Sequence, residues 1–446
     1  MPAAGGDRRV AGPPSTTRRR LFPCRPELRA GRGRTDRDEG ANQPKPDMLT
    51  HAGAGRLGDA SIPRSATVLE LLFDIVYVFA LARLAGRVAD DLTFLRHAFL
   101  SETGQTVLFF TAMWMVWSLN ALMSSSYDPR RADIQILLLA SMFGTLVLAV
   151  SLPQAFGERG VVFSVTYVLI QVGRPLYLTL ALRGDSRWRA PARLLSWHVL
   201  SGVFWIAGGI SGGLGRGVFW TIALAIEILG FAMSWPAPRL GSTRPNYPTT
   251  SFDHLAERYN QFFMIALAEV VLETGAAIGF PGFSVKRSAV LVAAFLTVVA
   301  FWRIYFYHGG SRDPAASDRP KETAMRLSEW SSFGLLLVAG GVICTAVGFG
   351  QVVEDPAPPI DWALLAVIFG GPALFLVGRS SLDPPVRSGR RCRALSLGVL
   401  ALAVVAPVML LLPPIAAALA VALVMSGIAV LDGLAHRPGP ETNPAF

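Results

Sequence analysis

The sequence predicts an all-α integral membrane protein of about twelve transmembrane helices. Three observations carry this. Only 16% of the 446 residues are charged and 52% are hydrophobic, whereas soluble domains average about 25% charged. The mean hydropathy is +0.43. Twelve apolar segments, each near the roughly 20 residues that a bilayer requires, then follow one another along the chain.

Residues 1–66 precede the first of these segments. They are polar, rich in Arg, Pro and Gly, and have no apolar period, so a disordered basic cytoplasmic tail is expected. They lack the apolar core of a secretory signal, and Met48 is an alternative start. Spans are expected at 67–86, 103–123, 133–152, 160–182, 193–211, 217–235, 256–280, 287–307, 331–350, 360–379, 394–412 and 414–432. Only Pro413 and Pro414 divide the last two, which could instead form one re-entrant hairpin. A linker at 236–255 and a tail at 433–446 complete the chain.

The formal charge of +10 alternates in its placement, which argues for membrane topology rather than a nucleic-acid groove. One set of loops carries Arg130 and Arg131; Arg183, Arg187, Arg189 and Arg193; Arg239, Arg244 and Arg258; Arg312, Arg319, Lys321 and Arg326; and Arg379, Arg387, Arg390, Arg391 and Arg393. The intervening loops hold fewer bases, among them Arg87, Arg159, Arg216 and Arg287. Bases favour the cytoplasmic side, so both termini are expected inside and the protein in a bacterial plasma membrane.

The two halves echo each other. Phe79-Ala80-Leu81-Ala82-Arg83 is matched by Ile265-Ala266-Leu267-Ala268-Glu269, and Trp114-Met115-Val116-Trp117 by Trp302-Arg303-Ile304-Tyr305. Phe143-Gly144 is matched by Phe333-Gly334, and Gly173-Arg174-Pro175 by Gly370-Gly371-Pro372. Six spans per half keep both halves in one orientation. The expectation is a parallel repeat of 67–235 and 256–432, an arrangement that transporters use.

Charged residues inside apolar segments mark the candidate site, because a mid-membrane carboxylate costs about 2.5–3.5 kcal/mol on insertion scales. Glu70, Asp74 and Tyr77 fall at i, i+4 and i+7, on one face of the first helix. Thr67 and Glu70 also have capping-box spacing, so Glu70 reads as the cap and Asp74, a turn deeper, as the functional acid. The seventh segment carries Glu257, then Glu269 and Glu273 at i, i+4. Two close carboxylates suit a proton site; alternatively they form a structural ion pair with Arg174 or Arg303, both inside apolar stretches. Glu227 and Asp432 are weaker candidates. Cys24, Cys344 and Cys392 form no CxxC pair and the six His are scattered, so no metal or other cofactor is expected. No nucleophile elbow, P-loop or HExxH appears, and enzyme activity is not expected.

Glu70-Leu71-Leu72-Phe73-Asp74-Ile75-Val76-Tyr77-Val78-Phe79-Ala80 resembles the E-L-F-F-D-L-V-F-V-F-A signature of the bacterial low temperature requirement A family. The stretches Ala155–Gly160, Gly173–Tyr177 and His254–Glu269 resemble further blocks of that family. The likeness covers about residues 64–310 well and the remainder loosely. The chain departs at Ala268, where the family has Gly, at Glu273, where it has a small or apolar residue, and at Trp330–Phe333, where a Tyr/His stretch is usual. The resemblance implies a multi-pass inner-membrane protein and supplies no substrate. Phe73-Asp74 and the apolar run after it are also similar to the F-S-D opening of lysosomal potassium channels, which have two six-helix repeats. Here Val68 replaces the channel arginine, and the seventh segment offers Asn260 or Gln261 in place of the Asp.

Three functions follow from these residues. One is a secondary transporter, proton-coupled through intramembrane carboxylates, for a small solute or ion that the sequence does not identify. The second is a cation channel. The third is a non-transporting scaffold or stress-response protein. The expected partner is the lipid bilayer, not nucleic acid; oligomeric state is unreadable.

Overall fold

The computed structural model describes residues 66–94, 99–240, 252–279, 282, 284–306, 321–354, 360–382 and 389–434. All but residue 66 of the expected tail 1–66, Met48 included, all but residues 433 and 434 of the tail 433–446, and most of the 236–255 linker therefore lie outside the described residues. Among the described residues there are twelve α-helices and no strand. They are α1 (Val68–Phe94), α2 (Phe99–Ser126), α3 (Ala132–Ser151), α4 (Gly160–Ala181), α5 (Arg189–Ile210), α6 (Gly213–Ala232), α7 (Phe252–Gly279), α8 (Val285–Phe306), α9 (Lys321–Glu354), α10 (Trp362–Ser381), α11 (Gly389–Met409) and α12 (Pro414–Leu434).

Nine of the described helices are long and apolar enough to cross a membrane by length and composition. Of the other three, α1 and α11 carry several charges, and α5 carries Arg189 and Arg193 with the polar residues Ser196, His198 and Ser201. Helices α1 and α9 overrun their expected spans, because charged turns such as Arg87–Asp91 extend a helix beyond its apolar stretch. Pro414 opens α12, where its fixed φ and missing N–H are tolerated, so α11 and α12 are separate helices packed on each other.

Large apolar side chains face outward: Phe143, Leu169, Phe295 and Leu423 are 69, 67, 61 and 75% exposed. In water such a surface would aggregate; here it is the lipid-facing side of a multi-pass bundle. Several bases that the sequence places in loops are instead buried within helices: Arg193, Arg216, Arg258 and Arg379. Arg216, for example, ties together two helix junctions by donating to the carbonyls of Gly208, Gly209, Ser211, Ala155 and Gly157.

Neighbouring helices pack in a pattern that recurs. Helix α1 lies on α2 and α3, α2 on α6, α3 on α4, α4 on α5, and α5 on α6. Likewise α7 lies on α8 and α9, α8 on α12, α9 on α10, α10 on α11, and α11 on α12. Helices α1 and α2 both meet α7 and α9. A close crossing is α9 on α10, where Gly334, Gly341 and Gly348, seven residues apart, lie against Gly378, Gly371 and Ile368 in turn. A Cβ on Gly341 would lie 2.5 Å from the Phe375 nitrogen and 2.6 Å from the Gly371 oxygen. Backbones approach this closely only where small residues line the seam.

Candidate functional site

The charged face of α1 does not meet lipid. Glu70 and Asp74 are both fully buried, and α7 presents His254 and Arg258 to them. Both pairs are spaced i, i+4, so each occupies one stripe of its helix. The two stripes face each other where α1 crosses α7.

Arg258 grips Asp74 with both arms of its guanidinium, Nη1 donating to Oδ2 at 2.7 Å and Nη2 to Oδ1 at 2.8 Å. Trp117 of α2 donates its indole N–H to Oδ1 at 3.0 Å. A buried ion pair repays its desolvation only with good geometry and further hydrogen bonds, and Asp74 has three donors. The Arg258 Cζ also lies 6.0 Å from the Trp117 ring centroid, within cation–π range.

Glu70 serves two roles. Its Oε2 accepts from the Thr67 backbone N–H at 2.8 Å and from Thr67 Oγ1 at 2.9 Å, which caps α1. The same oxygen lies 3.3 Å from His254 Nε2, and Oε1 lies 3.7 Å from Arg258 Nε. His254 Nδ1 in turn meets Ser125 Oγ of α2 at 3.0 Å. The cluster thus holds two carboxylates, one guanidinium and one imidazole, closed off by α2.

A group of aromatic side chains packs beside it. Tyr77, Trp114, Trp117 and Phe262 are buried and in mutual contact, with Phe262 and Trp117 centroids 4.2 Å apart. The Tyr77 hydroxyl has no hydrogen-bond partner among the described residues.

The remaining sequence candidates stand elsewhere. Glu257 lies beside the cluster and accepts from Gln261 Nε2 at 3.4 Å. Glu269 is buried, and its Oε2 has no hydrogen-bond partner among the described residues; Glu273, a turn further along α7, is half-buried against Gly350 of α9. Neither of these acids forms an ion pair among the described residues. The arginines proposed for them point away. Arg174, on α4, donates to the Ile170 and Val116 carbonyls and to Gln171. Arg303, on α8, donates to the Ala429 carbonyl of α12. Both were chosen for their depth in the chain, and depth says nothing about the face a side chain occupies.

Glu227 is better built than its ranking in the sequence suggested. This fully buried carboxylate accepts from Tyr167 Oη at 2.6 Å, Ser201 Oγ at 2.8 Å and Trp205 Nε1 at 2.9 Å. Gln171 extends the chain, donating to Tyr167 Oη at 3.3 Å.

Sequence reasoning missed Trp117, Ser125, His254 and Arg258 as members of the Asp74 cluster. One signal was available: a His/Arg pair at i, i+4 complements an acidic pair of the same spacing.

The chain is 34% identical over 319 residues to an uncharacterized protein of Rhizobium meliloti (strain 1021), covering 70% of this chain and 76% of that one. No solved structure matches it. The family model described as bacterial low temperature requirement A protein (LtrA) matches residues 65–430, which include the whole Asp74 cluster. The chain belongs to the bacterial low temperature requirement A family.

Proposed function

We propose that this protein is a proton-coupled secondary transporter of the bacterial plasma membrane. In this reading twelve spans form two parallel six-helix halves, with both termini in the cytoplasm. The observation that carries it is the buried Asp74–Arg258 pair, which joins the first helix of one half to the first helix of the other.

Charge counting supplies the mechanism. Counted apart from the His254 imidazole, Glu70 and Asp74 bring two negative charges and Arg258 one positive charge, so one added proton neutralises these three groups. A dry interior disfavours uncompensated charge. A proton delivered to Asp74 removes the stronger of the two attractions that hold Arg258 across the α1–α7 seam, leaving only Glu70 at 3.7 Å, and so loosens the halves and lets them rock. In this reading the buried Tyr77, Trp114, Trp117 and Phe262 close a solute path beside the cluster, as alternating access requires.

Matched positions support the two halves. Tyr77 and Trp117 have ring centroids 6.4 Å apart, and their sequence counterparts Phe263 and Tyr305 stack at 3.8 Å. Arg174 of α4 donates to the Val116 carbonyl of α2 at 3.3 Å. The matching Ile304 carbonyl of α8 also accepts from an arginine of α10 at 3.3 Å, although this one, Arg379, stands two turns beyond Gly371, the counterpart of Arg174. The recurring helix pairs point the same way.

The test is proton movement in liposomes that carry an internal pH dye and a potassium-diffusion potential, with added solutes. Wild type is expected to move protons with a solute, and Asp74→Asn to lose that movement while still assembling. Single-channel steps in a planar bilayer would replace the transporter with a channel. Equal flux in wild type and Asp74→Asn would remove the cluster from the mechanism.

A further inference from the structure

Helix α1 carries a second charged pair beyond Asp74, at Arg83 and Arg87, about 14 and 20 Å further along the helix. Spaced i, i+4, both line one open cleft of about 420 Å³, together with Glu102 and Gln105 of α2 and Phe156. That volume lies within the range of small-molecule sites, about 300–1,000 Å³.

Arg87 is held in place. Its Nη2 donates to Gln105 Oε1 at 2.6 Å and to Glu102 Oε2 at 3.3 Å, and its Cζ lies 5.2 Å from the Phe109 ring centroid. Its side chain is only 11% exposed, and its buried Nε has no hydrogen-bond partner among the described residues. Arg83, one turn back, is exposed and makes no hydrogen bond or ion pair among the described residues. Two guanidinium groups against one carboxylate leave one positive charge in the cleft. One of those groups is fixed and the other is free to close on a guest.

We propose that this cleft binds an oxyanion, a carboxylate or phosphate group gripped by Arg83 and oriented by Arg87. The planar guanidinium fork matches either group in a bidentate fashion. Glu102 holds Arg87 upright and moderates the field, so that a singly charged guest brings the cleft to neutrality. Resting on the transporter reading, the inference names the substrate class: a small organic anion, carried with the proton that the Asp74 cluster takes at the other end of the same helix. The same chemistry would also hold the headgroup of an anionic lipid.

The experiment is binding to the full-length chain in nanodiscs of phosphatidylcholine alone, probed with lactate, a monocarboxylate, and with inorganic phosphate. A parallel set of nanodiscs contains phosphatidylglycerol. Saturable binding in the first set is expected, weakened about tenfold or more by Arg83→Gln, which lies on the surface and leaves packing intact. Glu102→Gln is expected to tighten binding severalfold, a change in the opposite direction that damage to the fold would not produce. Stabilisation by phosphatidylglycerol alone, lost in Arg83→Gln, keeps the oxyanion site and makes a lipid headgroup its occupant, which overturns the substrate assignment. Absence of both responses, or equal affinity in Arg83→Gln, overturns the site. Because binding is measured without a gradient, intact binding with no transport in liposomes refutes the transporter reading and leaves the site standing.

Discussion

Removing Arg258 isolates what the ion pair does for the fold. Arg258→Gln takes away two hydrogen bonds of 2.7 and 2.8 Å and leaves Glu70 and Asp74 buried without a cation. Breaking a buried pair from one side costs about 3–5 kcal/mol. Asp74→Asn is milder. Arg258 keeps Glu70 at 3.7 Å and Trp117 still has an amide oxygen to donate to, so about 1–3 kcal/mol is expected. In the double variant the two amides meet without charge and the share of the loss that came from an unpaired Asp74 returns, while Glu70 still lacks its cation. The coupling energy between the two sites is therefore expected near the top of the 0.5–3 kcal/mol range found for residues in contact. Reversible unfolding in mixed detergent micelles, with wild type, both single variants and the double variant, measures it. Additive losses, with coupling below about 0.5 kcal/mol, would mean that the pair does not hold α1 to α7, and the seam mechanism would fall with it.

Two further perturbations test the frame around the site. Glu227→Leu leaves the Tyr167, Ser201 and Trp205 donors unsatisfied in a buried setting, at about 1–3 kcal/mol each. A marked drop in the apparent melting temperature in detergent is expected, smaller for Glu227→Gln, which retains one acceptor; equal drops would show that hydrogen bonding is not what Glu227 provides. Gly341→Ala pushes a methyl group against the backbone of α10 and is expected to destabilise by about 1–3 kcal/mol. Gly370→Ala, with nothing within 4 Å of the added carbon, is the control, and similar melting temperatures for the two would contradict the tight α9–α10 seam.

The helices were legible because hydropathy over twenty residues depends on composition alone, and composition survives ignorance of the fold. Their ends were not. Arg87–Asp91 and Lys321 continue a helix for reasons of backbone bonding that leave no apolar mark. The acidic stripe on α1 was equally legible, since i, i+4 spacing fixes a face. Its partner was hidden because a base near the end of a span looks like a loop charge in sequence, and Arg258 was counted as one. Arg174 and Arg303 show the complementary error: depth can be read along a chain, but direction cannot. Glu227 was undervalued because its partners Tyr167, Ser201 and Trp205 are scattered over two other helices.

Asp74 and Arg258 are 184 residues apart in the chain. Protein synthesis at about 5–20 residues per second delivers the guanidinium some 10–40 s after the carboxylate. Throughout that interval α1 carries two acids with no counter-ion, in a medium that charges each of them about 2.5–3.5 kcal/mol at mid-membrane. The first helix made is thus the one least able to settle, and it must wait beside water or the insertion machinery until α7 emerges. Assembly at this point runs against the order of translation: the seventh helix seats the first.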